Sequence, residues 1–130
     1  MLGPRVTGLG GVFIKARDKA GLADWYRRHL DIAVEEGGWA LFRWRDHSDP
    51  ARPGSTVWAI FEEDSDYFGL SGQRAMLNYR VADLDAVLAA LRVEGVTVDQ
   101  RVEETAEGRF GWITDPEGNR IELWQPPPGR

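Results

Sequence analysis

The chain has 130 residues, a hydrophobic content of 42%, a charged content of 28% and a net charge of −5 from 16 basic and 21 acidic residues. One domain with a real core is the expectation, and an acidic balance with no basic run argues against nucleic acid or an anionic membrane as main partner. Cysteine is absent, which removes disulfides and thiolate metal sites.

No apolar run approaches the roughly 18 residues a membrane helix requires, and MLGPRVTGLGG at the start lacks an apolar signal core. The chain therefore reads as cytoplasmic. Met1–Thr7 reads as a loose lead-in. Leu9–Arg17 reads as a strand, with Val12, Ile14 and Ala16 on one face and Gly11, Phe13 and Lys15 on the other. Asp18 caps a helix whose apolar stripe is Leu22, Trp25, Tyr26 and Leu30. Ile32–Glu35 is a short strand candidate, and Gly37-Gly38 turns the chain into a stronger strand, Trp39–Arg45. DHSDPARPG at residues 46–54 is a turn-rich loop by composition, Ser55–Glu62 is a strand, and polar, glycine-rich EDSDYFGLSG at residues 63–72 reads as a linker.

After it the order begins again. Arg74–Val81 is a strand with Leu77, Tyr79 and Val81 on one face and Met76, Asn78 and Arg80 on the other. Asp83 caps a helix through Glu94, with Leu84, Val87, Leu88 and Leu91 as its stripe and Gly95 as its stop. Val96–Val102 is a strand. A hairpin, GRFGWITDPEGNRIELWQ, closes the chain around Asp115-Pro116-Glu117-Gly118-Asn119, where proline and glycine suit a tight turn. The fold class is α+β, strand–helix–three strands twice over, as one domain over residues 1–130. Module one spans about 8–63, the linker about 64–72 and module two about 73–126. The helices pack on the convex face of a curved mixed sheet, leaving the other face to line a shared cup.

This duplicated order, with a strand, Asp-Pro-Glu-Gly-Asn and then Arg-Ile-Glu-Leu, resembles the vicinal oxygen chelate superfamily of glyoxalase I, bleomycin-binding proteins and extradiol dioxygenases. The resemblance covers about Leu9 to Pro126. It implies a divalent metal on the concave face, bound early in each module and by a carboxylate on each final strand, a site that suits open Lewis-acid chemistry. By position the closing carboxylate is Glu122, and the other ligand positions fall on Gly11, Met76 and Ala59. None of those three is competent: glycine has no side chain, alanine a methyl, and methionine a soft thioether. His29 falls on the first helix and His47 in the turn-rich loop. The standard metal site is thus read as absent and no cofactor is expected, although a divalent metal at a non-standard site stays open.

Strand parity gathers Phe13, Lys15, Met76, Asn78, Arg80, Arg120, Glu122 and Trp124 on the concave face. Their basic members either reach water at strand ends or help form a small-molecule pocket, with Glu122 as pocket carboxylate or general base. GLGG at Gly8–Gly11 precedes a strand instead of following one, so it is no dinucleotide loop. Three functions remain open: a metal-free binder of a small organic molecule, a lyase, isomerase or dioxygenase built around Glu122, and a non-catalytic interaction module with a filled concavity. The resemblance also implies modules paired either within the chain or across a dimer, and an acidic surface with large aromatics fits a homodimer.

Overall fold

Two aspartates set the frame. In the computed structural model, which describes residues 5–70 and 72–130, the Asp18 carboxylate accepts the Gly21 N–H at 3.0 Å and that of Asp83 accepts the Ala86 N–H at 3.1 Å. Each satisfies a donor that a helix start leaves open. They cap α1 (Lys19–Leu30) and α2 (Leu84–Val93). Each helix follows a strand, β1 (Val6–Ala16) or β4 (Ala75–Val81). The remaining strands are β2 (Trp39–Arg45), β3 (Pro53–Glu62), β5 (Thr97–Thr105), β6 (Gly108–Thr114) and β7 (Arg120–Gln125). The expected lead-in lies outside the described residues up to Pro4, and Val6 and Thr7 already belong to β1.

The strands form one sheet in the order β2-β3-β1-β4-β7-β6-β5. β1 and β4 run antiparallel at its centre, each with a parallel neighbour, β3 or β7. The two halves therefore repeat one another about the β1–β4 seam, as the duplicated sequence anticipates. One strand is missing from the repeat. Ile32–Glu35, expected as a strand, joins no ladder beyond a single bridge from Glu35 to Trp39. Its backbone is satisfied elsewhere: the Arg27 Nε–H donates to the Val34 carbonyl at 2.8 Å, and the Val34 N–H to that of Ile32 at 2.8 Å. Val34 and Ile32 bury against Ala23 and Ile60 under α1. The sheet edge in that half is consequently β2.

Both helices cover one face. Leu84, Val87 and Leu88 pack on Val81 and Leu123, as the α2 stripe requires. The α1 stripe is narrower than expected. Ala23 is buried with Leu22 and Tyr26 against it, while Trp25 and Leu30 are exposed. Leu77, expected beneath a helix, is also exposed. No helix among the described residues is long and apolar enough to cross a membrane.

The other face carries a separate aromatic cluster of Phe13, Phe68, Met76 and Trp112. Phe68 comes from the segment read as a linker, and it is fully buried. Through Phe68 that segment contributes to the core, while Leu70 beside it is exposed (Ser71 lies outside the described residues). Truncating Phe68 to alanine should cost about 3–5 kcal/mol, in the range for a buried phenylalanine. Urea denaturation of the two proteins checks this; a loss within a few tenths of a kcal/mol would mean the segment is only a connector.

Candidate functional site

The closing turn is built as its residues dictate. The Asp115 carboxylate accepts the N–H groups of Glu117 and Asn119, both at 2.9 Å, and Gly118 takes a φ of +86° that favours glycine. The Asn119 side-chain amide, donating to the same carboxylate at 3.0 Å, and then these backbone bonds hold the Asp115 carboxyl below the usual range. β7 then runs back along β6 in register, setting Trp112 opposite Glu122 and Phe110 opposite Trp124. On its other side the parallel pairing with β4 sets Asn78 beside Glu122 and Arg80 beside Trp124.

Glu122 is 1% exposed. Its carboxylate accepts from three elements at once: Asn78 Nδ2–H at 2.5 Å, Trp112 Nε1–H at 3.0 Å and the Tyr67 hydroxyl. Burial pushes the Glu122 carboxyl above its ordinary range, and the donations from Tyr67, Asn78 and Trp112, with the charge of Arg120, offset only part of that. Tyr67 is held protonated, raised first by burial and then by the charge of Glu122. Asn78 Oδ1 has no hydrogen-bond partner among the described residues and is pressed onto Gly10, where a β-carbon would collide with it.

Over this carboxyl opens a cavity of about 590 Å³. Its walls are Phe13, Trp39, Leu41, Val57, Ala59, Phe61, Tyr67, Phe110 and Trp124. Asn78 and Glu122 lie in the floor, and Glu107 and Arg130 contribute charge. Phe61 stacks on Tyr67 (5.3 Å, 15°) and Phe110 on Trp124 (6.2 Å, 6°). A mostly apolar hollow with few convergent polar groups is the usual form of a small-molecule site.

Of the residues expected here, Phe13, Asn78, Glu122 and Trp124 line this cavity. Four do not. Met76 is buried beneath it in the aromatic cluster. Lys15 carries its ammonium over the Phe68 ring at 5.0 Å. Arg120 turns to Asp99 at 3.2 Å, its guanidinium over Trp112. Arg80 lies between the indoles of Trp44 and Trp124, 5.4 and 5.1 Å from their centres. Parity assigned the right face, but long side chains bend toward whatever partner they reach. Tyr67 was missed because acidic and small residues surround it in EDSDYFGLSG; its adjacent Tyr-Phe pair was the available signal.

The donor set does not fit the divalent metal that the fold family implies. Gly11 and Met76 each stand seven residues before a capping aspartate, so they occupy equivalent places on β1 and β4. Ala59 pairs with Phe13 on β3 as Glu122 pairs with Asn78 on β7. Only Glu122 among these four bears a nitrogen or oxygen donor, and three donors already meet its carboxylate. The Phe13 ring also covers Gly11, within 2.8 Å of where a β-carbon would stand. Among the described residues no group of three or more His, Asp or Glu side chains is placed to hold a metal. His29 lies 5.1 Å from the Trp25 ring, tilted at 45° to it, on the helical face, and His47 is exposed in its loop.

These features define a glyoxalase-type protein of paired modules around a cup. The family model for the glyoxalase-like domain matches residues 11–124, and the chain belongs to that family and to the vicinal oxygen chelate superfamily. Among solved structures it is similar to the methylmalonyl-CoA epimerase of Mycobacterium tuberculosis, at 28% identity, with 98% of this chain and 94% of that one covered and a TM-score of 0.61. A Streptomyces coelicolor methylmalonyl-CoA epimerase variant in complex with 2-nitronate-propionyl-CoA is 25% identical over 93% and 98% of the two chains, with a TM-score of 0.67. The NAD-dependent benzaldehyde dehydrogenase of Legionella pneumophila shares the fold at 12% identity and a TM-score of 0.60, covering 90% and 98%. No curated protein sequence matches the chain.

The raised Glu122 carboxyl has a pH signature. Between the ordinary glutamate range and its raised native value, the folded chain holds a proton that the unfolded chain has released, so stability falls as pH rises through that window. Glu122→Gln removes this titration, and its stability relative to the parent should climb with pH before levelling off. Urea denaturation of both proteins from about pH 4 to about pH 8 checks it; parallel curves would show that burial does not shift this carboxyl.

Proposed function

We propose that this protein binds a compact, largely apolar organic molecule in the aromatic cavity over Glu122, without the four-ligand metal of its family. The cavity carries the reading: it is large enough for a small ligand, walled by aromatic rings and open rather than filled by side chains. Ala59, where the first module would supply a carboxylate, instead adds a small apolar wall that leaves volume for the ligand. Phe13, Trp124, Tyr67 and Phe110 supply stacking and edge contacts, over a floor that Asn78 and Glu122 close.

A proton-transfer reading has one observation in its favour, the 28% identity to an epimerase along nearly the whole chain, together with a carboxyl of raised pKa in the cavity. Glu122 would then be the base. Two features support binding over this alternative: the ligand positions that carry no donor, and three protein donors that occupy three of the carboxylate's roughly four acceptor sites.

A neutral fluorescent probe, N-phenyl-1-naphthylamine, should bind the parent protein. Ala59→Trp, which fills the cavity from one wall, should weaken it about tenfold or more, equivalent to about 1.4 kcal/mol, while the far-UV spectrum is kept. Equal binding by both proteins would place the site elsewhere. Turnover of methylmalonyl-CoA by the parent, with or without added manganese, and its loss in Glu122→Gln would overturn the binding-only reading.

A cytoplasmic homodimer completes the proposal. The unpaired edge strand β2 exposes Trp39, Leu41 and Phe42, and an apolar sheet edge invites pairing. Sedimentation velocity at several concentrations should show a species of twice the chain mass; a monomer throughout would reject the dimer.

A further inference from the structure

Arg80 is a buried cation without an acidic side chain to meet it. It is 7% exposed, and among the described residues no carboxylate side chain lies within ion-pair distance of it. One Nη–H donates to the Ser55 carbonyl at 3.2 Å and another to the Arg130 carbonyl. A guanidinium carries five N–H donors, so donors remain. Two ring faces attract the charge but accept no strong hydrogen bond, and a buried charge costs a great deal unless an anion meets it.

This cation is deliberately housed. Trp44 reaches across two other strands to cover it, which requires Gly8 and Gly54: a β-carbon at Gly8 would come within 2.7 Å of the Trp44 ring, and one at Gly54 would also collide with it. Trp44 is held there by donating Nε1–H to Thr56 at 2.9 Å. Beside the sandwich is a second hollow of about 330 Å³ lined by Arg80, Arg52 and Arg130, with Asp46 the one acidic side chain among the described residues that line it. In a chain of net charge −5 three arginines on one hollow stand out, two of them with an acidic partner. Arg130 is paired to Glu107 at 2.6 Å, whereas Arg52 reaches Asp46 only at 3.9 Å. Arg130 lines this hollow and the aromatic cavity alike.

We propose that the second hollow is an oxyanion subsite, taking the carboxylate, sulfonate or phosphate head of the molecule whose apolar body occupies the aromatic cavity. The proposal rests on the cavity reading and narrows it to amphipathic organic anions. Arginine suits the role because its planar fork matches such oxygens two at a time and never loses its charge.

The test compares 1-anilinonaphthalene-8-sulfonate with N-phenyl-1-naphthylamine, the same ring system without the sulfonate. The protein carries a C-terminal purification tag, which keeps any terminal carboxylate away from Arg80. The sulfonate should bind at least tenfold tighter, and Arg80→Met should bring the ratio of the two affinities close to one. Arg52→Glu, at an exposed position outside the indole sandwich, keeps the test sharp where Arg80→Met fails to fold; it should lower the ratio at least threefold. Equal binding of the two probes by the parent, or a ratio unmoved in Arg52→Glu, overturns the subsite and leaves the cavity reading standing. Inorganic phosphate that binds while the probes remain equal overturns the head-group assignment in favour of a free-ion site. Binding of neither probe defeats the cavity reading and this one with it.

Discussion

A carboxyl group cut off from water at the centre of a sheet must be met by donors, and Glu122 organises the open face of this protein through that requirement. Its three donors come from β4, from β6 and from the segment between the modules. Asn78 and Trp112 arrive automatically, as the residues in register with Glu122 on the strands either side. Tyr67 arrives only because residues 63–72 fold back over the sheet, and Phe68 beside it fills the space below. The duplicated halves are therefore joined by more than the β1–β4 ladder: a hydroxyl from between them closes the polar centre of the second.

Three of the four positions that would ligate a metal in this superfamily have been put to apolar use. Gly11 lies under the Phe13 ring, Met76 is core, and Ala59 is cavity wall. A site that loses ligands while keeping a buried carboxylate would be left with an uncompensated charge. Here indole, amide and phenol donors meet the Glu122 carboxyl, and the hollow opens over it. The same fold supports a dehydrogenase and epimerases among its structural neighbours, so the side chains of the cup, rather than the cup, hold the functional information.

A second principle governs the row through Arg80. Trp44, Arg80, Trp124 and Phe110 stand on four different strands and stack one on the next. Glycines on β1 and β3 let the first of them lie flat across the sheet. The GLGG motif, which is no nucleotide loop, is explained by this packing: Gly8, Gly10 and Gly11 all face side chains that leave no room for a β-carbon.

Periodicity, two capping aspartates and the Asp-Pro-Glu-Gly-Asn turn determined the helices, the closing hairpin, the duplicated order and the face each strand residue occupies, because these depend on neighbours a few residues away. The emptiness of three ligand positions was legible too, since glycine, alanine and methionine lack the donors whatever surrounds them. Only the tertiary structure decided the rest. Ile32–Glu35 has the composition of a strand, yet Arg27 and the underside of α1 claim its backbone and side chains. Tyr67 and Phe68 look like linker residues, yet Phe68 becomes core and Tyr67 cavity wall because the segment crosses the aromatic face. Lys15, Arg80 and Arg120 share a face with Glu122 but leave its cavity, for long cationic side chains settle wherever an aromatic ring, carbonyl or carboxylate lies within reach, and that is set by residues distant in sequence.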